Sequence, residues 1–258
     1  MMDQWMQWMP ADMSAGFFVL LVVASFFTSA LTGAFGLGGG LLMLVVMSMA
    51  LPMATVVPLH GIVQLGSNTS RSIIQRKHID KALVAWFAIG AVLGVLAGGA
   101  VAVSIPDSFL KITLALFIAW SVFGRKSRFE VFSKSLLIGG GFFTSMAGML
   151  VGATGPIVAA LLASGQLAKH TLVATHAACM VVQHGLKILV FGGLGFAFGP
   201  WALLLVLMVA SGFLGTVVGA RLLDNLPERY FRTGFKLVMG LACAQLLYSA
   251  AQALWRGL

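Results

Sequence analysis

The chain carries little charge of either sign and very little acid. Of its 258 residues 9% are charged, and seven are Asp or Glu. So few charges beside 60% hydrophobic residues and a mean hydropathy of +1.01 exclude a soluble globular domain. Cysteine is nearly missing: Cys179 and Cys243 stand apart in apolar runs without metal-ligand spacing, and they read as packing residues. The opening MMDQWMQWMP has no Lys or Arg, so it lacks the basic start of a cleavable signal peptide, while Trp5 and Trp8 suit a membrane interface. Catalytic motifs are missing too, with no H-E-x-x-H, no G-x-S-x-G and no acid placed to orient a catalytic histidine. These absences argue against an enzyme.

The bases that are present, giving a formal charge of +9, gather in short stretches. These are 71–81 (Arg71, Arg76, Lys77, Lys81), 124–134 (Arg125, Lys126, Arg128, Lys134) and 221–236 (Arg221, Arg229, Arg232, Lys236), with Lys169 in a fourth. Such clustering marks the cytoplasmic side of a membrane rather than a nucleic-acid surface, and puts the N-terminus and the uncharged 193–200 loop outside. Apolar runs fall at 14–36, 41–51, 54–75, 82–104, 109–123, 136–151, 156–165, 170–192, 201–223 and 231–252. With about 20 residues needed per crossing, the chain reads as an all-α polytopic membrane protein of about eight to ten helical segments. The second and seventh runs are too short to cross unaided, and each follows a glycine-rich interruption; they either complete a crossing or turn back as re-entrant hairpins.

The chain also repeats itself. FFTSALTGAFGLGGG (26–40) lies over FFTSMAGMLVGATGP (142–156) at an offset of 116, and Thr55, His60 and Arg71 then fall on Thr171, His176 and Lys187. After a five-residue insertion Gly94, Gly98 and Pro106 fall on Gly215, Gly219 and Pro227. The loop charges give the two halves, 1–135 (segments 1–5) and 136–258 (segments 6–10), opposite orientations. Inverted repeats with matching interrupted helices are an architecture of secondary transporters, with the substrate near the midplane.

The interruptions carry the chemistry. Glycine costs about 1 kcal/mol relative to alanine inside a helix, so Gly33, Gly36, Gly38, Gly39 and Gly40 together predict a break, followed by a short helix from about Leu41. Freed backbone cannot face lipid, so the break lines a cavity and points the positive end of the next helix into it. GATGP (152–156), with Thr154 and Gly155, does the same in the other half, its Pro156 suited to a first helical turn. Two such ends make an anion site. The alternative is that the glycines only let helices pack closely.

Two polar stripes wall this space. His60, Gln64, Ser67, Asn68 and Arg71 share one helical face, and His176, Gln183, His184 and Lys187 share its counterpart. Taken singly, each histidine reads equally as a neutral, hydrogen-bonded core residue. Arg71 reads as a member of the cytoplasmic loop and Lys187 as either a charge partner of the substrate or a snorkelling residue. All seven acids fall in loops or at helix ends, which leaves no midplane carboxylate for a cation and favours an anionic substrate. Histidine is then the side chain available to couple protons, because unperturbed imidazole titrates near neutral pH. His60, His176, His184 and Cys179 lack the spacing and the carboxylate partners of a metal site, so no cofactor is expected.

GLGGG before a short helix, the stretch ATVVPLHGIVQLGSNTSRSIIQRKHID and their half-matched counterparts resemble the TauE/SafE family of bacterial membrane transporters, over residues 17–252. The resemblance implies export of small sulfur-containing anions, sulfite or organosulfonates such as sulfoacetate or sulfolactate, across the inner membrane. GATGP departs from the family's further G-x-G-G-G, so the two half-sites are not expected to be equal. The combined expectation is a secondary transporter whose substrate meets Gly38, Gly39, Gly40, His60, Gln64, Asn68, Thr154, Gly155, His176, Gln183 and His184, with Arg71 and Lys187 as charge partners and H⁺ as coupling ion. The alternatives are an anion channel of the same architecture and a His-dependent metal-binding protein or enzyme. The lipid bilayer is the other expected partner, a homodimer is compatible with the sequence, and nucleic acid is not expected.

Overall fold

The structure, a computed structural model, describes residues 13–35, 38–102, 105–123, 133–163 and 167–222, with isolated positions beyond. Nine helices follow one another in these residues: α1 (Ala15–Phe35), α2 (Gly39–Ser48), α3 (Met53–Ile74), α4 (Lys81–Ala102), α5 (Asp107–Phe123), α6 (Lys134–Val151), α7 (Gly155–Ala163), α8 (Lys169–Gly193) and α9 (Ala202–Leu222). Their ends lie within three residues of the first nine apolar runs, and no strand occurs among the described residues. The tenth run, Trp5 and Trp8, Gly36, residues 124–132 of one basic loop, those after 222 in another, and Asp3, Asp12, Glu130, Asp224 and Glu228 lie outside the described residues.

Five of the described helices are long and apolar enough to cross a membrane. The chain is an all-helical polytopic membrane protein. Its outward faces carry the side chains that lipid would solvate; Phe27 and Phe143, 116 residues apart, are each 64% exposed. Helix α3, at 22 residues, is about 33 Å long and could also span, but it spends one face on polar side chains that are buried in protein.

Glycine sets the closest contacts. Helix α4 packs most extensively on α6, and α9 on α1. Gly94 and Gly98 rest on the Phe142 and Met146 carbonyls, while Gly215 and Gly219 rest on those of Phe26 and Ala30, the positions 116 residues earlier. One turn away, Gly90 lies on the Ile138 carbonyl, whereas Ser211 instead donates to the Val22 carbonyl at 2.7 Å. Contacts rise in number along both partners, so the helices within each pair run parallel. Only near-naked backbone lets two helices approach so closely, and such small-residue seams replace a hydrophobic drive that lipid cannot supply.

Helices α3 and α8 cross in the middle, in opposite directions. His60, early in α3, meets His184, late in α8, with ring centroids 5.9 Å apart; His78, just beyond α3, meets His170 at the start of α8, at 5.4 Å. Asp80 fastens this second end, its backbone N–H donating to Thr175 Oγ1 at 3.0 Å while its carboxylate accepts from the N–H groups of Ala82 and Leu83, in the first turn of α4. Helices that match at the offset of 116 thus run antiparallel, and α2 and α7 pack beside this crossing pair.

The glycine seams can be tested by adding one carbon. A Cβ at Gly94 would strike the Phe142 carbonyl, while one at Gly139 would meet open space. Gly94→Ala is expected to destabilise the protein by about 1–3 kcal/mol, the usual cost of overpacking, while Gly139→Ala leaves stability unchanged or raised. Thermal unfolding in detergent reads both; equal melting temperatures would contradict the seam.

Candidate functional site

The break between α1 and α2 is narrower than five glycines suggest. Gly33 lies within α1 against the Thr216 carbonyl, and Gly39 and Gly40 already belong to α2. Helix α2 therefore starts two residues before Leu41, because close packing there outweighs glycine's poor helix propensity. Gly38 is where the chain turns: its φ of 101° lies in the left-handed region, and no side chain caps the helix that follows. In the second break the left-handed residue is Gly152, φ 90°, which closes α6 and is followed by Ala153 and Thr154 before α7 begins.

The starts of the two short helices meet at a cavity of about 40 Å³. Gly38, Gly40 and Leu41 reach it from α2, and Ala153, Gly155 and Pro156 from α7. Helix α3 contributes His60, Gln64, Asn68 and Arg71, α8 contributes His176, Met180 and His184, and Thr32 closes it from α1. None of these lining residues is acidic. Each helix start brings a partial positive charge, α2 without a side-chain cap, and Arg71 adds a full charge.

Hydrogen bonds tie the walls to the breaks. His60 Nε2 lies 2.8 Å from the Gly40 carbonyl, and His176 Nε2 lies 3.1 Å from that of Gly155. Asn68 donates through Nδ2 to the Gln64 carbonyl at 2.7 Å and accepts from Arg71 Nη2 through Oδ1. Arg71 is not a loop residue: it lies inside α3, 4% exposed, at the cavity wall. Its place in a charge-rich segment concealed that the helix continues to Ile74 and turns this side chain inward.

Gly38, Gly40, His60, Gln64, Asn68, Gly155, His176 and His184 therefore line one cavity together with Arg71, while four other candidates stand one layer back. Gly39 is buried against the Thr28 carbonyl, so it serves helix packing. Gln183 Nε2 donates to the Thr144 carbonyl at 3.1 Å and to Thr154 Oγ1 at 2.6 Å, which occupies Thr154 as well. The reason is local volume: Gly148 leaves room for the Gln183 amide, whereas the equivalent position in the other half is filled by Thr32. Lys187 neither snorkels nor reaches the cavity wall. It is 0% exposed, its chain lies over Gly61, and Nζ donates to the Gly152 carbonyl at 2.6 Å. Met180 was missed, although it stands 116 residues after Gln64 and carrying that position across the repeat would have found it; for Leu41 and Ala153 no polar signal exists.

Among the described residues no group of three or more His, Cys, Asp or Glu could hold a metal ion. The arrangement is instead one of donors and positive helix ends around a space for roughly three waters or one small oxyanion. A polytopic helical protein with paired interrupted helices enclosing such a cavity has the build of a membrane transporter. A family profile described as Sulfite exporter TauE/SafE matches residues 21–246. The chain belongs to that family. Searches of curated proteins and of solved structures returned no match.

Adjacent glycines separate packing from lining. Gly39→Ala would overlap the Thr28 backbone and is expected to lower the melting temperature. Gly40→Ala would come 2.9 Å from Gln64 Oε1 and is expected to cut anion affinity while leaving the melting temperature near the parent's. Isothermal titration and thermal unfolding measure the two effects, and the reverse pattern would show that the roles are exchanged.

Proposed function

We propose that the protein is a secondary transporter that exports sulfite, or a sulfur oxyanion of similar size, across the bacterial inner membrane. The observation that carries this reading is the cavity where two helix starts and Arg71 converge without a lining carboxylate. Family membership supplies the chemical class, and the size of the cavity favours a four-atom oxyanion over an organosulfonate with a carbon chain. Gln64 and Asn68 offer amide groups for orientation, and the apolar walls at Leu41, Ala153, Pro156 and Met180 exclude competing water. Exchange of the cavity between the two membrane faces would follow from the bundle of α1, α2, α3 and α9 moving relative to that of α4, α6, α7 and α8, with the α3–α8 crossing as a seam between them.

Ligand binding to the folded state alone raises stability, by about 2.7 kcal/mol at a concentration one hundred times the dissociation constant. Among sulfite, sulfate, acetate, sulfoacetate and sodium or calcium salts of an inert anion, sulfite is expected to give the largest rise in melting temperature. Arg71→Gln is expected to weaken sulfite about ten- to hundredfold, the worth of one charge-assisted hydrogen bond. Counterflow of labelled sulfite in proteoliposomes should distinguish a carrier from an open pore. Stabilisation by cations with none by sulfite would refute the anion reading.

A further inference from the structure

The hydrogen-bond roles of the cavity's histidines say more than that the ligand is an anion. A carbonyl oxygen only accepts, so the Nε2 atoms facing the Gly40 and Gly155 carbonyls must carry hydrogen in His60 and His176. In a neutral ring that fixes the other nitrogen, Nδ1, as a bare lone pair. Nδ1 of His176 is buried without a hydrogen-bond partner in the protein, its ring 4% exposed, whereas His60, 1% exposed, also meets the Gly152 backbone. Both rings line the cavity. A lone pair turned toward an oxyanion repels it, so such a ring does not belong in a site that takes the bare anion alone. One proton resolves the conflict, because Nδ1–H donates to an oxyanion oxygen and Nε2–H keeps its carbonyl.

We propose that the cavity carries its oxyanion together with one proton, and that the proton rests on Nδ1 of His176. The inference rests on the reading of the cavity as an oxyanion site. His176 is chosen over His60 by the cations around them. His60 packs on His184, and its neighbour Gly61 lies under the buried Lys187 chain, so an added charge there would meet the ammonium. His176 lies eleven residues before Lys187, about 16 Å along α8. The remaining charged or titratable groups on the two crossing helices near the cavity are Arg71 and His184; α1, α2 and the α7 start present only Thr32, glycines, Leu41, Ala153 and Pro156. Arg71 and a protonated His176 would share the anion between them, which screens their repulsion. The balance is simple: the ring gains a proton at Nδ1 as the anion enters and returns it to water as the anion leaves, with no bond formed to the ligand.

The test uses the full chain in liposomes, with sulfite as probe, a trapped pH dye and the membrane potential clamped. Sulfite flux by the parent is expected to move about one proton per anion in the same direction, and a pH gradient alone is expected to drive it. In His176→Gln the amide nitrogen can keep the tie to the Gly155 carbonyl, but nothing replaces Nδ1; sulfite should still raise the melting temperature while proton movement falls at least tenfold. His60→Gln alters the cavity wall and is expected to slow flux, but the sulfite it still moves should carry about one proton per anion. Parent flux without protons overturns the proposal, and so does parent-like proton movement in His176→Gln, which would put the proton on the ligand. If that variant does not fold, calorimetry of sulfite binding to the parent in buffers of different ionisation enthalpy still decides, since binding without proton uptake overturns the proposal. Failure of the parent to bind sulfite at all overturns the anion reading itself, a separate outcome.

Discussion

Backbone that leaves a helix inside hydrocarbon must find partners within the protein, because lipid offers none. The arrangement of this molecule follows from that constraint. Two interruptions, around Gly38 and Gly152, end one helix and start a short one, and the crossing pair α3 and α8 packs side chains against the backbone there. His60 serves Gly40, His176 serves Gly155 and Lys187 serves Gly152. No side chain caps the start of α2, whereas at α7 Pro156 carries no N–H and those of Ile157 and Val158 return to the Thr154 carbonyl. On the proposed oxyanion reading, the helix starts, Arg71 and the lack of a lining carboxylate are what would favour negative charge there.

The two halves solve the same problem with different side chains. Where one has Thr32 and Ser67, the other has Gly148 and Gln183, and the long amide occupies the space the threonine would fill. Where one has Gln64 and Asn68 at the cavity, the other has Met180 and His184. Arg71 reaches into the cavity with Asn68 as partner, while Lys187 is held back on a carbonyl. The polar and cationic wall is thus mostly α3, and the apolar and imidazole wall mostly α8. A ligand bound between them would be held unequally.

Much of this was legible in the sequence. Hydrophobic run length fixed helix positions to within a few residues, since in a membrane the period and the length of apolar segments dominate local structure. The repeat picked out His60 and His176 as a pair before any distance was known. Other features were hidden for physical reasons. Gly33, Gly39 and Gly40 look like helix breakers, yet the helix survives because their missing side chains admit a neighbouring backbone or side chain; composition cannot separate that use from a break. Arg71 sits among loop charges in the sequence, and only the course of α3 to Ile74 turns it inward. Gln183 and Lys187 share the cavity-facing stripe of α8 but are long enough to reach past it, and a helical wheel records direction without reach.

The exchange of α4 and α9 across the halves also constrains how the chain is made. Helix α1 finds its closest partner only in Ala202–Leu222, so its seam at Phe26 and Ala30 stays unfilled while the intervening residues are synthesised. At ordinary translation speed that is a wait of roughly ten to thirty seconds. The first half therefore enters the bilayer with an open flank and closes late, around a newcomer that must arrive parallel to it. Closure of the α1 flank is a late event, and a product truncated before Ala202 would expose the same narrow groove to whatever lipid or foreign helix lay nearest.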